Sequence, residues 1–472
     1  MIEGLKPYPA YQELGLLEGL RVPAHWPVKR AKYFLREVDE RSQTGSEELL
    51  SVSHKTGVTP RSQKNVSMFL AETNVGYKVC RPGDVAVNTM WAWMAAVGVA
   101  RESGIVSPSY GVYRPLTSTH FLQPFLDELL RLPAYRSEYA ARSVGITDSR
   151  LRLYPDAFLK IPLPLPPPDE QAAIVRFLDH ADRRIRRFIR AKQQVIKLLE
   201  EQKQAIIHQA VTRGLDPGVA FKPSGIPWLG DVPTHWEVWQ MGHFARLGNG
   251  STPSRSTPAY WAGGHYPWLN SGVVNRQRVT QSDQYVTDTA LRECHLPIVP
   301  AGSLIVALTG QGKTRGKAAI LEIDATINQH LAYITLSRDV ATSGYLRLAL
   351  EGLYTQLRAI SEDAGSTKGA LTCGSLRHFR VAVPPLEEQQ TLLIAVEKET
   401  ATIASAIKQV EAQLAALREY RTRLIADVVT GQLDVRAAAA ALPDEAPEAD
   451  DLDTEAAPDD DEAEAPDDEV NA

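Results

Sequence analysis

The stretch that decides the fold runs from Pro166 to Asp216 and reads PPPDEQAAIVRFLDHADRRIRRFIRAKQQVIKLLEEQKQAIIHQAVTRGLD. Its apolar residues recur in steps of four and three, which predicts one long amphipathic helix. Prolines are tolerated at the start of a helix, where the first N–H groups have no helical partner, and Gly214 is suited to end it. A matching stretch runs from Pro384 to Asp434, 218 positions later and without a gap. The sequence therefore predicts two long helices of the same design.

A period of 3.5 residues, the period of a coiled coil, defines the expected buried seam of each helix. In the first helix the seam begins at Ile174 and continues through Leu178, Ala181, Ile185, Phe188, Lys192, Val195, Leu199, Gln202, Ile206 and Gln209. In the second it begins at Leu392 and continues through Val396, Glu399, Ile403, Ala406, Val410, Gln413, Leu417, Tyr420, Leu424 and Asp427. Because length and register match, we expect the helices to pair antiparallel within one chain. Two unrelated surface helices, or a homodimeric coiled coil, would show the same pattern.

The repeat also includes the segment that leads into each globular region. Ala10–Val28 and Ala220–Val238 share Ala, Gly, Val, Pro, His, Trp and Val at an offset of 210. We expect His25 and His235, which recur beside a tryptophan, to have a packing role. In the first turn of each long helix stand acidic residues that complement the helix dipole, namely Asp169, Glu170, Glu387 and Glu388. The chain is thus two copies of a globular region followed by a helix.

Between these landmarks the two copies differ in sequence. Short β-like runs come first in each region, and a helical pattern follows near its end. The runs are Gly83–Asn88, Gly104–Tyr113, Gly302–Leu308, Ala318–Ile323 and Leu331–Leu336, and the helical patterns are His120–Leu132 and Ser343–Ile360. The predicted fold class is α+β, with two domains of mixed strands and helices joined by an antiparallel coiled coil and related by an internal pseudo-two-fold repeat. The predicted boundaries are 1–165 for the first domain, 166–216 for the central helix, 217–383 for the second domain, 384–434 for the C-terminal helix and 435–472 for an acidic disordered tail.

The net charge hides a strong asymmetry along the chain. The total is −6, yet no Lys or Arg follows Arg436, and residues 444–469 contain 15 Asp and Glu. Without this tail 42 acids face 51 bases, so the body carries about +9. A basic body with an acidic tail favours a polyanionic partner, although a mildly basic domain with a solubilising tail has the same charges. The tail composition is typical of disorder.

Cysteine usage and hydropathy narrow the protein class. Cys80, Cys294 and Cys373 stand far apart and form neither a metal-site spacing nor a disulfide framework. No apolar run reaches the roughly 18–20 residues that span a bilayer, and the N-terminus lacks a signal pattern. We therefore expect a cytoplasmic protein with no membrane segment. The sequence also lacks paired-His metal spacing, a dinucleotide fingerprint, a GxSxG elbow and the Asn-Pro-Pro-aromatic motif of adenine methyltransferases.

In combination, these features resemble a known family. PPPDEQ and PPLEEQ open the long helices, VPAHW and VPTHW lead into the globular regions, and two divergent regions lie between them. From about Ala10 to Asp434 the chain resembles the specificity subunit of type I restriction–modification systems. Gly83–Tyr113 and Gly302–Ile334 also resemble stretches of the target-recognition domains of that family.

The resemblance implies a function without chemistry of its own. Each target-recognition domain would read one half of a bipartite, asymmetric site in double-stranded DNA. The helices would set the spacer between the halves and dock two methyltransferase subunits, and restriction/translocase subunits would complete the assembly. The chain would be no enzyme and would bind no cofactor, because S-adenosylmethionine, ATP and Mg²⁺ are expected on the partner subunits.

Two other classes of function remain as alternatives. Gly310–Thr314 imitates the phosphate-binding loop of a nucleotide-hydrolysing enzyme, but that loop needs a glycine five residues before Gly312, where this chain has Ala307. A basic turn that contacts DNA is the preferred interpretation of the same residues. The second alternative is a coiled-coil scaffold that gathers protein partners and does not bind DNA.

Polar and basic loop residues are the candidate DNA contacts. Lys and Arg bind phosphates, whereas amides and hydroxyls pair with base edges. The candidates in the first domain are Lys55, Arg61, Lys64 and Asn88; those in the second are Ser251, Thr252, Ser254, Arg255, Asn275, Arg276, Arg278, Gln311, Lys313, Thr314, Arg315, Lys317, Thr367 and Lys368. We expect Trp91 and Trp93 to belong to the core, and the arginines between Arg183 and Arg190 to form a solvated or partner-binding face.

Overall fold

A computed structural model describes residues 5–16, 18–63, 73–145, 151–310, 314–362 and 369–443. The chain divides into two compact units. Unit 1 contains the described residues of 1–191 and 413–472, and unit 2 contains those of 192–412. Both divisions fall within a long helix, not at the predicted domain boundaries, so each unit includes part of both helices.

The first region consists of short strands followed by helices, in the predicted order. Its strands are β1 (Tyr11–Glu13), β2 (Arg21–Pro23), β3 (Val28–Arg30), β4 (Leu35–Glu37), β5 (Leu50–Ser53), β6 (Gly57–Pro60), β7 (Lys78–Cys80), β8 (Val85–Val87), β9 (Val97–Val99), β10 (Gly104–Val106), β11 (Gly111–Pro115) and β12 (Pro162–Pro164). Its helices are α1 (Gln123–Leu130), α2 (Pro133–Arg142) and α3 (Pro155–Phe158). The first long helix, α4, spans Pro168–Arg213.

The second region repeats this plan. Its strands are β13 (Phe221–Pro223), β14 (Asp231–Pro233), β15 (Glu237–Gln240), β16 (Ala245–Asn249), β17 (Tyr266–Leu269), β18 (Arg278–Val279), β19 (Tyr285–Val286), β20 (Leu304–Ala307), β21 (Ala318–Leu321), β22 (Thr326–Ile327), β23 (Leu331–Leu336) and β24 (Arg380–Val383). Its helices are α5 (Asp288–Glu293), α6 (Ser343–Gly352), α7 (Tyr354–Glu362) and α8 (Cys373–His378). The second long helix, α9, spans Leu386–Val429, and a short helix, α10, follows at Arg436–Ala440.

The sequence repeat is also a repeat of sheet topology. The central sheet of unit 1 has four antiparallel strands in the order β4-β11-β8-β9. That of unit 2 has the order β16-β23-β20-β21-β18, with a single parallel pair, β18–β21. Its first four strands correspond one to one with those of unit 1. Smaller pairs repeat as well, with β1–β2 and β3–β12 in unit 1 matching β13–β14 and β15–β24 in unit 2.

Both long helices contribute to the cores of both units. In unit 1 the start of α4 (Ile174–Ile185) and the end of α9 (Leu424–Val429) share one hydrophobic cluster. In unit 2 the end of α4 (Ile207–Val211) and the start of α9 (Leu392–Val396) share another. Burial of these faces, and not helix propensity alone, stabilises such long helices in water.

The helix segments within unit 1 run in opposite directions. Arg421 in α9 donates to Asp182 in α4 at 2.5 Å. Farther along the chain, Arg436 lies 3.4 Å from Glu170, which stands nearer the start of α4. Because Arg436 stands in α10, the direction follows from the clusters: the start of α4 packs with the end of α9, and the end of α4 packs with the start of α9, as the antiparallel prediction requires.

The observed seam departs from the predicted one by a single residue at alternate positions along much of each helix. In α9 Thr400 and Leu414 are buried, whereas the predicted Glu399 and Gln413 are exposed. In α4 the predicted Phe188, Val195, Gln202 and Gln209 are exposed, and the residues that follow them, Ile189, Ile196, Lys203 and Ala210, are more buried. Two consecutive steps of four, after Ala181 in α4 and after Leu392 in α9, cause the shift. An α-helix has 3.6 residues per turn, so an occasional extra step of four keeps the seam on one face.

A glutamate in the first turn of each long helix fastens the segment that leads into the same unit. The Glu170 carboxylate accepts the indole N–H of the His25-Trp26 dipeptide at 2.8 Å and lies 2.8 Å from its imidazole Nε2. Glu388 makes the same two contacts with the His235-Trp236 dipeptide, at 3.1 Å and 2.8 Å. The packing role predicted for both histidines therefore takes the form of a bond to a carboxylate.

The glutamine that follows each of these glutamates binds backbone carbonyls. Gln171 donates to the carbonyl five residues earlier, and to that of His120, both at 2.9 Å. Gln389 donates to the carbonyl five residues earlier at 2.9 Å and to that of Val340 at 3.0 Å. The repeated Glu-Gln pair thus fixes each globular region to the start of its helix.

The predicted tail begins several residues too early. Val435 and Ala439 are buried in the core of unit 1, because α10 packs its small apolar side chains there. Residues 444–472 lie outside the described residues. Among the helices that are described, none is long and apolar enough to cross a membrane.

Candidate nucleic-acid interface

Polar side chains from three loops meet at one end of the central sheet of unit 2. The Thr252 hydroxyl, after β16, donates to Gln329 Oε1 at 2.5 Å. The Thr309 hydroxyl, after β20, lies 3.0 Å from His330 Nδ1. Gln329 and His330 lie between β22 and β23, and both are exposed, as is Thr252. We name Thr252, Thr309, Gln329 and His330 the polar loop cluster.

Backbone contacts hold these loops together. A Cβ on Gly250 would lie 1.7 Å from the Ile327 carbonyl oxygen, so only glycine lets the loop after β16 lie against β22. Ser251 then donates its N–H to that carbonyl at 3.1 Å. Leu308 likewise donates to the His330 carbonyl at 2.9 Å. Backbone hydrogen bonds therefore set the position of the cluster and place its side chains at the protein surface.

Basic side chains extend this surface from the far end of the β20–β21 loop. Lys317 Nζ donates to Asn275 Oδ1 at 3.2 Å, which brings two sequence-predicted candidates together. Arg276 and Arg278 are exposed beside them, and Arg278 pairs with Glu322 at 2.7 Å. Cations at a loop edge provide the salt-sensitive phosphate contacts of nucleic-acid binding proteins.

Arg255 is exposed but held in a defined orientation. Its guanidinium lies 3.8 Å from the ring centroid of Trp261 and donates to Gln284 at 2.5 Å. The Trp261 indole in turn donates to the Ser254 carbonyl at 3.0 Å, and the hydroxyls of Ser254 and Ser256 lie 2.8 Å apart. A guanidinium stacked on an aromatic ring loses less freedom when it binds a phosphate or a guanine edge.

The structure removes Asn88 and Arg315 from the candidate contacts. Asn88 is 4% exposed and donates to the Tyr110 hydroxyl at 2.9 Å. Arg315 is 6% exposed and donates to the Gly369 carbonyl. Both side chains bind neighbouring loops from inside the domain, where a buried polar group needs a hydrogen-bond partner. Ser251 and Thr314, by contrast, are half-buried, and Ser251 precedes Thr252 of the polar loop cluster.

In unit 1 the predicted candidates lie on separate elements. Lys55 is exposed in the β5–β6 turn, where its carbonyl accepts a bond from Arg131. Arg61 is half-buried just after β6. Trp91 and Trp93, predicted as core, are only half-buried and stack on each other with centroids 5.7 Å apart. Both stand in the nine-residue segment that connects β8 to β9.

Sequence reasoning missed several members of this surface. Thr309, Gln329 and His330 were not among the candidates, although Gln329 and His330 stand in a polar interruption between two strand-like runs, which is the available signal. By topology, the corresponding loops of unit 1 carry Thr89, which donates to the Ser109 carbonyl at 2.8 Å. Lys64, Gln311, Lys313, Thr367 and Lys368 lie outside the described residues. Within the described parts of the chain, no group of three His, Cys, Asp or Glu is placed to hold a metal ion.

Comparisons with known proteins show which family this chain resembles. Residues 233–414 match the family model described as the type I restriction modification DNA specificity domain. The chain is similar to the specificity subunit of the type I restriction enzyme EcoR124I/EcoR124II of Escherichia coli, at 21% identity over 245 residues, which cover 51% of this chain and 55% of that protein. It is also similar to the type I restriction enzyme MjaIX specificity subunit of Methanocaldococcus jannaschii, at 30% identity over 169 residues, 35% of this chain and 38% of that protein.

A solved structure extends the comparison to the fold. A chain from a study of complex assembly and conformational transition of the type I R-M system superposes with a TM-score of 0.60 at 18% identity, covering 87% of this chain and 99% of that one. The sequence alignments span about half the length of the curated relatives, or less. The predicted resemblance to type I specificity subunits and the α+β class with two long helices are confirmed.

Proposed function

We propose that this chain, which carries a type I restriction modification DNA specificity domain, is the DNA-reading specificity subunit of such a system. The observation that carries the proposal is the match over residues 233–414, because that stretch contains the polar loop cluster and Lys317. Each of the two domains would read one half of a bipartite, asymmetric site in double-stranded DNA.

The surface of unit 2 offers groups that suit both contacts with base edges and contacts with phosphates. Gln329 offers an amide, which pairs with adenine edges in the major groove. Thr252 offers a hydroxyl, which can donate to or accept from a base edge. The Thr252–Gln329 bond orients that amide before DNA arrives. Lys317, Arg276 and Arg255 would bind phosphates and fix the register, a contribution that weakens as salt increases.

The long helices would set the spacer and dock two methyltransferase subunits. Support comes from the division of the chain, since α4 and α9 each contribute to both compact units. Restriction/translocase subunits would join the same assembly. We further propose that S-adenosylmethionine, ATP and Mg²⁺ act on those partners in the cytoplasm, while this chain supplies recognition without a catalytic residue.

The direct test is to co-express the chain with its methyltransferase subunit and map the methylated adenines in the host DNA. A bipartite, asymmetric motif with a fixed unread spacer is the expected result. A short continuous motif, or no methylation by an assembled complex, would overturn the proposal.

Binding measurements separate the alternatives. A specificity subunit shows duplex affinity that falls steeply with salt, because several phosphates are neutralised at once. A scaffold that only gathers proteins would show no such slope. An enzyme that uses Gly310–Thr314 would bind ATP tightly and lose that binding on Lys313→Ala, a result that would reverse our assignment.

A further inference from the structure

The segment that connects β8 to β9 in unit 1 has a counterpart in the segment that connects β20 to β21 in unit 2. Equivalent backbone bonds close the two segments. Asn88 donates its N–H to the Ala96 carbonyl, and Ala307 donates its N–H to the Lys317 carbonyl, both at 3.0 Å. In each unit the bond joins the residue after or at the end of one strand to the residue just before the next strand. The two segments therefore occupy the same place in their units.

Each segment is also bonded to the loop that precedes the neighbouring strand of the central sheet. The Thr89 hydroxyl donates to the Ser109 carbonyl at 2.8 Å. In unit 2, Leu308 donates its N–H to the His330 carbonyl at 2.9 Å. His330 belongs to the polar loop cluster, and so does Thr309, which directly follows Leu308. The unit 1 segment thus lies where unit 2 carries its candidate DNA contacts.

The unit 1 segment carries a pair of tryptophans, Trp91 and Trp93, at the protein surface. Ala92, between them, is fully buried in the core of unit 1, as is Ala95 at 5% exposure. Both indoles are half-buried, and neither belongs to the hydrophobic clusters that the described residues of unit 1 form. Their rings stack with centroids 5.7 Å apart and an angle of 24° between the planes. The small side chains of the segment therefore fill the core, and the two large rings remain outside it.

A tight turn holds the tryptophan pair in place. Met94 and Ala96 both donate their N–H groups to the Trp91 carbonyl, at 3.0 Å and 3.2 Å. Ala95 has a φ of 65°, in the left-handed region, where the corresponding Gly316 has a φ of 87°. A residue with a Cβ adopts this conformation only where the surrounding structure fixes it. The rings thus stand on a fixed turn and lose little freedom when they bind a partner.

We propose that the tryptophan pair is the surface through which unit 1 contacts its half of the DNA site, and that it contacts thymine methyl groups in the major groove. The inference rests on the proposed function, because it assigns the DNA surface of unit 1 by its correspondence to that of unit 2. Since the rings stack on each other, a base does not enter between them, and their outer surfaces make the contact. The thymine methyl is the apolar group that base edges present in the major groove. Unit 1 then reads by apolar contact, whereas unit 2 reads by amide and hydroxyl groups.

Uracil in place of thymine tests the contact, because it removes only the methyl group. The complex with the methyltransferase subunit is titrated with duplexes that carry its mapped motif, with uracil in one half-site at a time. The half that unit 1 reads is the one that the combined Thr252→Ala and Gln329→Ala substitutions leave unchanged. Uracil in that half should weaken binding about fourfold for each contacted methyl group. In the double variant Trp91→Ala, Trp93→Ala, the same uracil substitution should have no further effect.

Two further variants separate a contact with DNA from a purely structural role. The double variant Trp91→Phe, Trp93→Phe keeps apolar rings and should keep the uracil effect. Tyr33→Ala removes a side chain that is 57% exposed and should change neither affinity nor motif. Tyr33 lies beyond the opposite end of the same sheet, since Leu35 pairs with Pro115 at the far end of β11.

Methylation mapping of the alanine double variant provides the second measurement. It should relax the T·A positions of the unit 1 half and leave the other half and the spacer unchanged, which also shows that the complex assembles. A uracil effect that persists in this variant, lost affinity with no uracil effect in the unmodified complex, or a unit 1 half without a T·A pair would overturn the inference. A bipartite motif that the variant leaves intact overturns the inference alone, whereas the absence of any bipartite motif overturns the proposed function as well.

Discussion

At the scale of single residues, Glu170 and Glu388 have a role beyond the helix dipole. Each carboxylate accepts an indole N–H and contacts an imidazole of the segment that leads into the same unit. Glu170 is the more buried of the two, with 4% of its side chain exposed against 31% for Glu388. It also accepts the Tyr8 hydroxyl at 3.0 Å, so its removal leaves two buried donors, Tyr8 and Trp26, without this acceptor.

We therefore expect Glu170→Ala to lower the free energy of unfolding by about 2–4 kcal/mol, since hydrogen bonds to a charged group are lost and their donors stay buried. Urea denaturation followed by tryptophan fluorescence measures the change. Glu387→Ala, in the exposed first turn of α9, is the control and should change stability by less than about 0.5 kcal/mol. Equal effects of the two substitutions would contradict the assigned role.

Lys317 supplies a second prediction at this scale. If its ammonium binds a phosphate, Lys317→Ala should weaken duplex binding across sequences and reduce the slope of log affinity against log salt by about one. Titrations between low and moderate salt measure that slope. Lys197→Ala, on the exposed surface of α4, removes the same charge elsewhere and should leave the slope unchanged. An unchanged slope in the Lys317 variant would exclude the phosphate contact.

At the scale of elements, the heptad pattern predicts part of the buried seam of each long helix. The count locates the apolar face at the ends of each helix, where Ile174, Ile185, Leu392 and Leu424 are buried. In the middle it holds at positions such as Ile403 but fails at every second position, because one extra step of four moves those seam positions to the next residue. Polar and apolar residues both occupy the seam there, so hydrophobicity alone does not reveal the step.

The corrected seam can be tested by a pair of substitutions in α9. Leu414 is 7% exposed and stands on the observed seam, whereas Tyr420 is 37% exposed and stands on the predicted one. We expect Leu414→Ala to lower the free energy of unfolding by about 2–3 kcal/mol through lost burial and a residual cavity. Tyr420→Ala should lower it by less than about 1 kcal/mol. If Tyr420→Ala lowered stability more than Leu414→Ala in thermal or urea denaturation, the predicted seam would be the correct one.

At the scale of the whole molecule, the duplication gives two units of one design. The strand order and the Glu-Gln junctions repeat, while the loops that would face DNA differ in length and composition. A change in the loops of one unit should therefore alter recognition by that unit alone.

Methylation mapping can check this independence. The double variant Thr252→Ala, Gln329→Ala, co-expressed with the methyltransferase subunit, should relax one half of the methylated motif and leave the other half and the spacer unchanged. Each lost base contact is worth about 1–3 kcal/mol of discrimination. Gln390→Ala, exposed on α9, is the matched control. Relaxation of both halves would show that the two units do not read separately.

Removing the acidic segment tests its effect on the whole chain. A chain that stops after Pro443 should bind non-specific duplex more tightly at low salt than the full chain, because the body alone carries about +9. The difference should disappear at about 0.5 M NaCl, where exposed charges are screened. Fluorescence anisotropy with a random duplex provides the measurement, and identical affinities at low salt would show that the segment does not weaken duplex binding.

The sequence by itself determined the two-fold plan of this protein. A helix that repeats without a gap, and a His-Trp dipeptide that repeats at the entry to each globular region, leave little freedom for another arrangement. Turn residues mark the ends of the short strands. Tertiary structure alone decided which residues meet on the candidate surface. It buried Asn88 and Arg315, brought Lys317 to Asn275, and placed Gln329 beside Thr252 across 77 positions of chain. The physical reason is that local patterns encode helices and strands, whereas a loop surface depends on long-range strand pairing and on single close approaches such as that of Gly250 to Ile327.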